Sequence, residues 1–130
     1  QLKRLPAFVA RRTELVEHYR RAFAAHPRLK LMKTAPGVDP AWHLFPIRVK
    51  VDDRSALFDR LIQRGIGAQV HYIAVNDLPL YRRLGYDPAS TPIAWQASRQ
   101  LLSLPLFPDM SDADADRVIF EVQEALRDEG

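Results

Sequence analysis

The chain has 130 residues, 47% of them hydrophobic, with no cysteine and a formal net charge of +3. That is enough for one compact core rather than two. It excludes a disulfide framework and thiolate chemistry, and no apolar run approaches the ~20 residues of a membrane span.

The first segment reads as an amphipathic helix, with Leu5, Phe8, Val9, Leu15, Tyr19, Ala22 and Phe23 recurring at three- and four-residue steps. Glu14 with His18 and Glu17 with Arg21 are expected to pair on its outer side. Pro6 fits only a first turn or a kink. The densest basic cluster (Lys3, Arg4, Arg11, Arg12, Arg20, Arg21) lies here, interrupted by Glu14 and Glu17. It reads as a solvated mixed-charge face, because few aromatics are interleaved as a nucleic-acid platform needs. No nucleic-acid partner is expected. Gln1 opens the sequence with no initiator Met and no helix cap, which reads as a cut point, and no charged-then-apolar leader is seen.

His26-Pro27 ends this helix, and Leu29 to Met32 reads as a short strand. Pro36-Gly37 and Asp39-Pro40 break the next stretch. Trp42 to Val51 then alternates as a strand, with Pro46 placing it at a sheet edge or on a bulge. Asp52-Asp53 can cap a helix whose apolar face is Leu57, Phe58, Leu61 and Ile62, and Gly65 stops it. Ile66, Ala68 and Val70 alternate with Gly67, Gln69 and His71 as a half-buried strand does. Asn76, Pro79 and Tyr81 follow in a loop or short helical turn. Thr91-Pro92 starts another helix, with Thr91 as N-cap. Leu102 to Pro105 is extended. Ser111 caps the last helix, with Asp112 and Asp114 at its positive end and Ala115, Val118, Ile119, Val122 and Leu126 as its stripe. This order predicts an α/β fold, a two-layer sandwich of a small, mostly antiparallel sheet covered by helices.

No complete catalytic set is present. The four histidines (His18, His26, His43, His71) lack metal-ligand spacing, so no metal site is expected. Asp112, Asp114 and Asp116 lack the glycine and terminal glutamate of a calcium loop. Gly65-Ile66-Gly67 runs from helix to strand, the wrong order for a phosphate loop. The serines have no nucleophile-elbow context. Arg48, Arg82 and Arg83 can hold phosphate or carboxylate, although a solvated surface explains Arg82 and Arg83 well. His71 alone combines a strand edge, an adjacent tyrosine and a following polar loop; a structural and a functional histidine both fit it.

Gly65 to Tyr86 resembles the small C-terminal domain of the DegT/DnrJ/EryC1/StrS sugar aminotransferases, pyridoxal-phosphate enzymes of the aspartate-aminotransferase fold. The pattern is similar to the branch acting on UDP-linked 4-keto-6-deoxy sugars, on the route to pseudaminic-acid-type sugars. Three further pieces carry the likeness. Gln1 to Leu5 with Arg11-Arg12 looks like the helix joining large and small domains. His43 to Val49 looks like the first long strand. Leu102 to Pro108 followed by Ser111-Asp112 looks like the closing strand, turn and last helix.

The resemblance implies that residues 1–130 form the small domain, with 1–25 as the interdomain helix and the large cofactor-binding domain absent. Pyridoxal 5'-phosphate and its Schiff-base lysine would lie in that large domain, so no catalytic or cofactor-binding residue is assigned here. Lys3, Lys30, Lys33 and Lys50 match scaffold positions. The implied substrate-binding residues are His71, Tyr72, Asn76 and Tyr81. The family reads His-Tyr-x-Pro-x-His; here Ala74 replaces the proline and Asn76 the second histidine. Asn76 can hydrogen-bond a sugar hydroxyl but cannot shuttle a proton near neutral pH. The implied partners are a nucleotide sugar, an amino-acid donor (glutamate) and a second copy in a homodimer, in the cytoplasm, with no membrane partner. The isolated chain is expected to be inactive. The alternative class is a stand-alone, non-catalytic binding or interaction module derived from this domain; a sugar-binding relative without cofactor is a third. Leu5, Phe8 and Val9 are expected to lie exposed on the isolated chain and to promote self-association, which sedimentation would read.

Overall fold

A three-stranded antiparallel sheet, its strands neighbouring in chain order, frames the molecule. The computed structural model describes residues 2–49 and 54–127. A 3-10 turn at Leu2–Arg4 leads into α1 (Leu5–Phe23), β1 (Leu29–Leu31), β2 (Phe45–Val49) and α2 (Arg54–Gln63). A second 3-10 turn at Val75–Asp77 precedes α3 (Pro79–Arg83), and a third at Pro88–Ser90 precedes α4 (Pro92–Gln100). The chain ends in β3 (Leu101–Leu104) and α5 (Asp112–Arg127). The predicted α/β sandwich is what forms. Phe45, Ile47 and Val49 of β2 and Leu102 and Leu104 of β3 meet Leu15, Val16, Tyr19 and Phe23 of α1. Leu57 and Leu61 of α2 and Ala115, Val118, Val122, Ala125 and Leu126 of α5 complete one core.

Tyr19 sits at its centre. Its ring lies 5.0 Å from that of Phe45 and 6.0 Å from that of Phe23. Its hydroxyl donates to the Pro105 carbonyl at 3.0 Å. Burial, with the nearby Asp114 charge second, pushes the phenol well above its usual range.

The stripe of α1 divides in two. Its C-terminal half, including Val16, enters the core, whereas Leu5 is 46% exposed and Phe8 and Val9 are half-buried. Arg4 lies over the Phe8 ring at 4.9 Å. The expected pairs on its outer side are replaced. His18 Nε2 meets Asp116 of α5 at 2.6 Å, Glu14 accepts from Arg11, and Glu17 faces Arg20. Arg11 also donates to the Met110 carbonyl and to Asp112, so α1 clasps the entry to α5.

Pro46 corrects the expectation of an edge or bulge. It lies in the central strand, opposite Ser103. The Ser103 N–H and C=O both point away from β2, to Gln69 at 2.8 and 2.9 Å. The 46–103 pair therefore asks no donor of Pro46. The proline nitrogen faces the β1 side, and β1 ends at Leu31, opposite Ile47. The missing N–H falls where no partner strand remains. β2 is also shorter than expected: Trp42, with φ 45°, turns the chain before it, and Arg20 stacks on the Trp42 ring at 4.8 Å. The predicted strand residues Lys50 and Val51 and the predicted cap Asp52-Asp53 lie outside the described residues.

Gly65 ends α2 as expected. Its φ is 76°, its N–H donates to the Ile62 carbonyl at 2.9 Å, and Ile66 N–H reaches the Leu61 carbonyl at 2.8 Å. This is the Schellman pair of bonds. A β-carbon at Gly65 would meet Arg117 Nη2 at 3.2 Å. Gly65→Ala is expected to cost about 1–2 kcal/mol of stability, read by urea denaturation.

Ser111 caps α5 through a reciprocal box. Asp114 N–H donates to Ser111 Oγ at 3.1 Å, and Asp114 Oδ2 accepts from Ser111 N–H at 3.2 Å. Removing this cap by Ser111→Ala is expected to cost about 1 kcal/mol. The Ser111 hydroxyl, then its N–H, holds the Asp114 carboxyl below the ordinary 3.8. The Arg11 guanidinium does the same for Asp112. Both folded values are depressed, so their stabilisation is complete above the ordinary value and is lost as pH falls through the folded values. Acid unfolding below about pH 3.8 is therefore expected to soften in an Asp112→Asn/Asp114→Asn variant, measured by circular dichroism against pH.

Candidate functional site

The segment after Gly65 is extended, with Ile66 and Ala68 turned into the core. The expected strand reduces to one antiparallel bridge, Gln69 with Ser103. Ala68 N–H turns back to the Ile66 carbonyl at 2.8 Å, which takes it out of a ladder. The bridge aligns this segment with the edge of β3. Gln69, His71 and Ser103 then share one face, because side chains two apart in an extended chain point the same way.

His71 Nδ1 lies 2.9 Å from Ser103 Oγ. Ser103, at 4% exposure, is the buried polar side chain of the described residues. Both line a cleft of about 430 Å³. Gln69, His43, Phe107, Met110, Asp114 and Arg117 form more of its wall. His43, expected to begin a strand, instead stands exposed at this cleft before β2.

Tyr72 turns outward and is 75% exposed, its ring edge-on to that of His71 at 5.0 Å. The chain then folds into the 3-10 turn and α3. Gly85, with φ 87°, ends α3: its N–H reaches the Arg82 carbonyl, and Tyr86 N–H reaches Tyr81. The Tyr81 and Tyr86 rings meet edge-on at 5.6 Å, the apolar contact that accompanies this helix end. With Val75, Asn76, Thr91 and Ala94 they line a second cleft of about 440 Å³.

The four residues singled out from the sequence therefore separate. His71 lies in the first cleft, Asn76 and Tyr81 in the second, and Tyr72 lines neither. Asn76 Nδ2 donates to Thr91 Oγ1 at 2.8 Å, which ties the 75–77 turn to the start of α4. Thr91 holds the N-cap position as expected, but its hydroxyl makes no bond to the helix backbone. Asn76 Oδ1 has no partner among the described residues and is free to accept.

The arginines are largely committed. Arg82 Nε donates to Asp77 at 2.7 Å, and Arg48 donates to Gln100 at the end of α4. Arg117 donates to the Arg64 carbonyl at 3.2 Å while lining the first cleft. Desolvation, then the charges of Arg28 and Arg127, lowers the His26 pKa; His26 lies outside both clefts. Among the described residues no three His, Cys, Asp or Glu side chains gather as a metal site, and no helix is long and apolar enough to cross a membrane. Lys3, Lys30 and Lys33 are exposed, and none of these three lines either cleft. An imine to pyridoxal phosphate needs an amine in a cleft. None of the described lysines is placed in a cleft to form it.

Ser103 was the residue that the sequence concealed. It stands between Leu102 and Leu104 in an apolar run, and only the register with Gln69 reveals that it faces His71.

Comparison with known proteins places this geometry. The profile of the DegT/DnrJ/EryC1/StrS aminotransferase family matches residues 1–123. DesV of S. venezuelae is 37% identical, with a TM-score of 0.87 over 95% of this chain and 33% of its own. Spr1654 of Streptococcus pneumoniae, described as a sugar aminotransferase and solved in a PLP-form, is 28% identical, with a TM-score of 0.92 over 98% of this chain and 33% of its own. Helicobacter pylori PseC, an aminotransferase involved in the biosynthesis of pseudoaminic acid, shares the fold at 24% identity and a TM-score of 0.89, over 98% of this chain and 35% of its own. The chain thus spans about a third of the length of the solved structures that it matches. The family profile over 123 residues and the common fold agree: this chain belongs to the DegT/DnrJ/EryC1/StrS aminotransferase family.

Proposed function

We propose that the chain is the C-terminal small domain of a pyridoxal-phosphate-dependent nucleotide-sugar aminotransferase. The whole enzyme moves an amino group from an amino acid, glutamate, to a 4-keto-6-deoxy nucleotide sugar, and works as a cytoplasmic homodimer. The observation that carries this reading is the family match over residues 1–123, joined to a cleft where His71 stands with a free ring edge. The cofactor and its lysine belong to the portion of the protein outside these residues. Pyridoxal phosphate supplies the electron sink for amino-group transfer when bound there.

The residues of this chain bind and orient the sugar. His71 lines the first cleft, and its Nε2 has no partner among the described residues. Asn76 Oδ1 accepts from a sugar hydroxyl, and Tyr72 and Tyr81 offer aromatic faces. Asn76 has no ionisable group near neutral pH, so it holds the sugar and moves no proton. The test is to express the chain with its upstream coding region and record the absorbance spectrum. Bound pyridoxal phosphate supports the reading. An upstream region that encodes no lysine-bearing large domain ends it.

A further inference from the structure

We infer that Ser103 is a positioning residue that fixes His71 as its Nε2–H tautomer, so that the first cleft presents a neutral N–H donor. The argument is one of hydrogen-bond accounting. The Ser103 backbone is fully used, with its N–H and C=O both bonded to Gln69. Its side chain is buried, and its sole partner among the described residues is His71 Nδ1, at 2.9 Å. A buried hydroxyl has one hydrogen to place and costs free energy when that hydrogen has no acceptor. If Nδ1 carried the imidazole proton, it would donate to Oγ, and the hydroxyl hydrogen would have no acceptor among the described residues. With Nδ1 bare, the hydroxyl donates to it and both groups are satisfied. The imidazole proton then resides on Nε2, the ring nitrogen with no partner among the described residues.

This sets the chemistry of the cleft. A bare Nε2 would accept a proton or a hydrogen bond from a sugar hydroxyl; Nε2–H only donates, to any oxygen with a free lone pair. The matching group on a ligand is an oxygen acting as acceptor, whether carbonyl, ring, phosphate or hydroxyl. Resting on the reading of a keto-sugar nucleotide as substrate, the cleft selects an acceptor oxygen of that substrate, and His71 serves as a donor and not as a base.

The experiment uses the intact protein labelled with 15N-histidine, without ligand, the His71 signal being assigned by its loss in His71→Gln. The wild type is expected to show the protonated-nitrogen shift on Nε2 and the bare-nitrogen shift on Nδ1. Ser103→Ala is expected to reduce the preference for that tautomer about tenfold, and Ser103→Thr to restore it. A proton on Nδ1 in the wild type, or an unchanged tautomer ratio in Ser103→Ala, overturns the inference. If Ser103→Ala does not fold, the wild-type spectrum and Ser103→Thr decide it. No sugar or cofactor enters this measurement, so its failure would be that of Ser103 alone, separate from the absorbance test of the proposed function.

Discussion

Tyr19→Ala is expected to lower the unfolding free energy by about 3–5 kcal/mol, the range for deleting a buried large aromatic. The ring touches both layers of the core: it stacks on Phe23 within α1 and meets Phe45 of the central strand at a tilt. Its removal leaves a cavity between helix and sheet, and it strands the Pro105 carbonyl that the hydroxyl serves. A domain of this size has a total stability of about 5–15 kcal/mol, so the variant is expected to be partly unfolded at physiological temperature. Tyr19→Phe keeps the ring and loses only the hydroxyl bond, at about 1–2 kcal/mol. Urea denaturation of the two variants separates the packing of the ring from its hydrogen bond. Equal losses would show that the cavity contributes nothing.

His71→Ala in the full-length enzyme is expected to lower kcat/KM for the keto-sugar nucleotide by about 10- to 100-fold, the range for losing one well-placed hydrogen bond to the substrate. The contact is a holding one, so the loss should fall mainly on KM. His71→Gln retains an N–H donor on a side chain of similar reach and is expected to recover part of the loss. Steady-state kinetics on both variants is the check. Wild-type kinetics in His71→Ala would remove His71 from the substrate side of the cleft.

The elements that carried local signals were legible in the sequence. Gly65 announced a left-handed helix end, Ser111 announced a cap, and the apolar periods of α2 and α5 placed them with few residues misassigned. What remained hidden depends on pairing between distant segments. Pro46 reads as an edge residue until β1 is seen to stop at Leu31 and Ser103 to turn its backbone toward Gln69. His18 reads as a partner of Glu14 until α5 brings Asp116 beside it, 98 residues along the chain.

The candidate site divides in the same way. His71 stands out by its local context, but its partner Ser103 lies 32 residues away with nothing nearby in sequence to mark it. Asn76 reads as a free polar residue of a loop, and half of its amide instead secures Thr91. Spacing reveals which residues share an element; it does not reveal which elements meet.

The account rests on the chain being the sugar-facing part of an enzyme whose reactive amine lies elsewhere. The direct measurement is product formation from a nucleotide-linked 4-keto-6-deoxy sugar with glutamate and pyridoxal phosphate, followed by mass spectrometry, for the full-length protein and for residues 1–130 side by side. The expected result is amino sugar from the full-length protein and none from the 130 residues. Amino sugar made by the 130 residues alone, or no amino sugar from the full-length protein with any keto-sugar nucleotide, would contradict it.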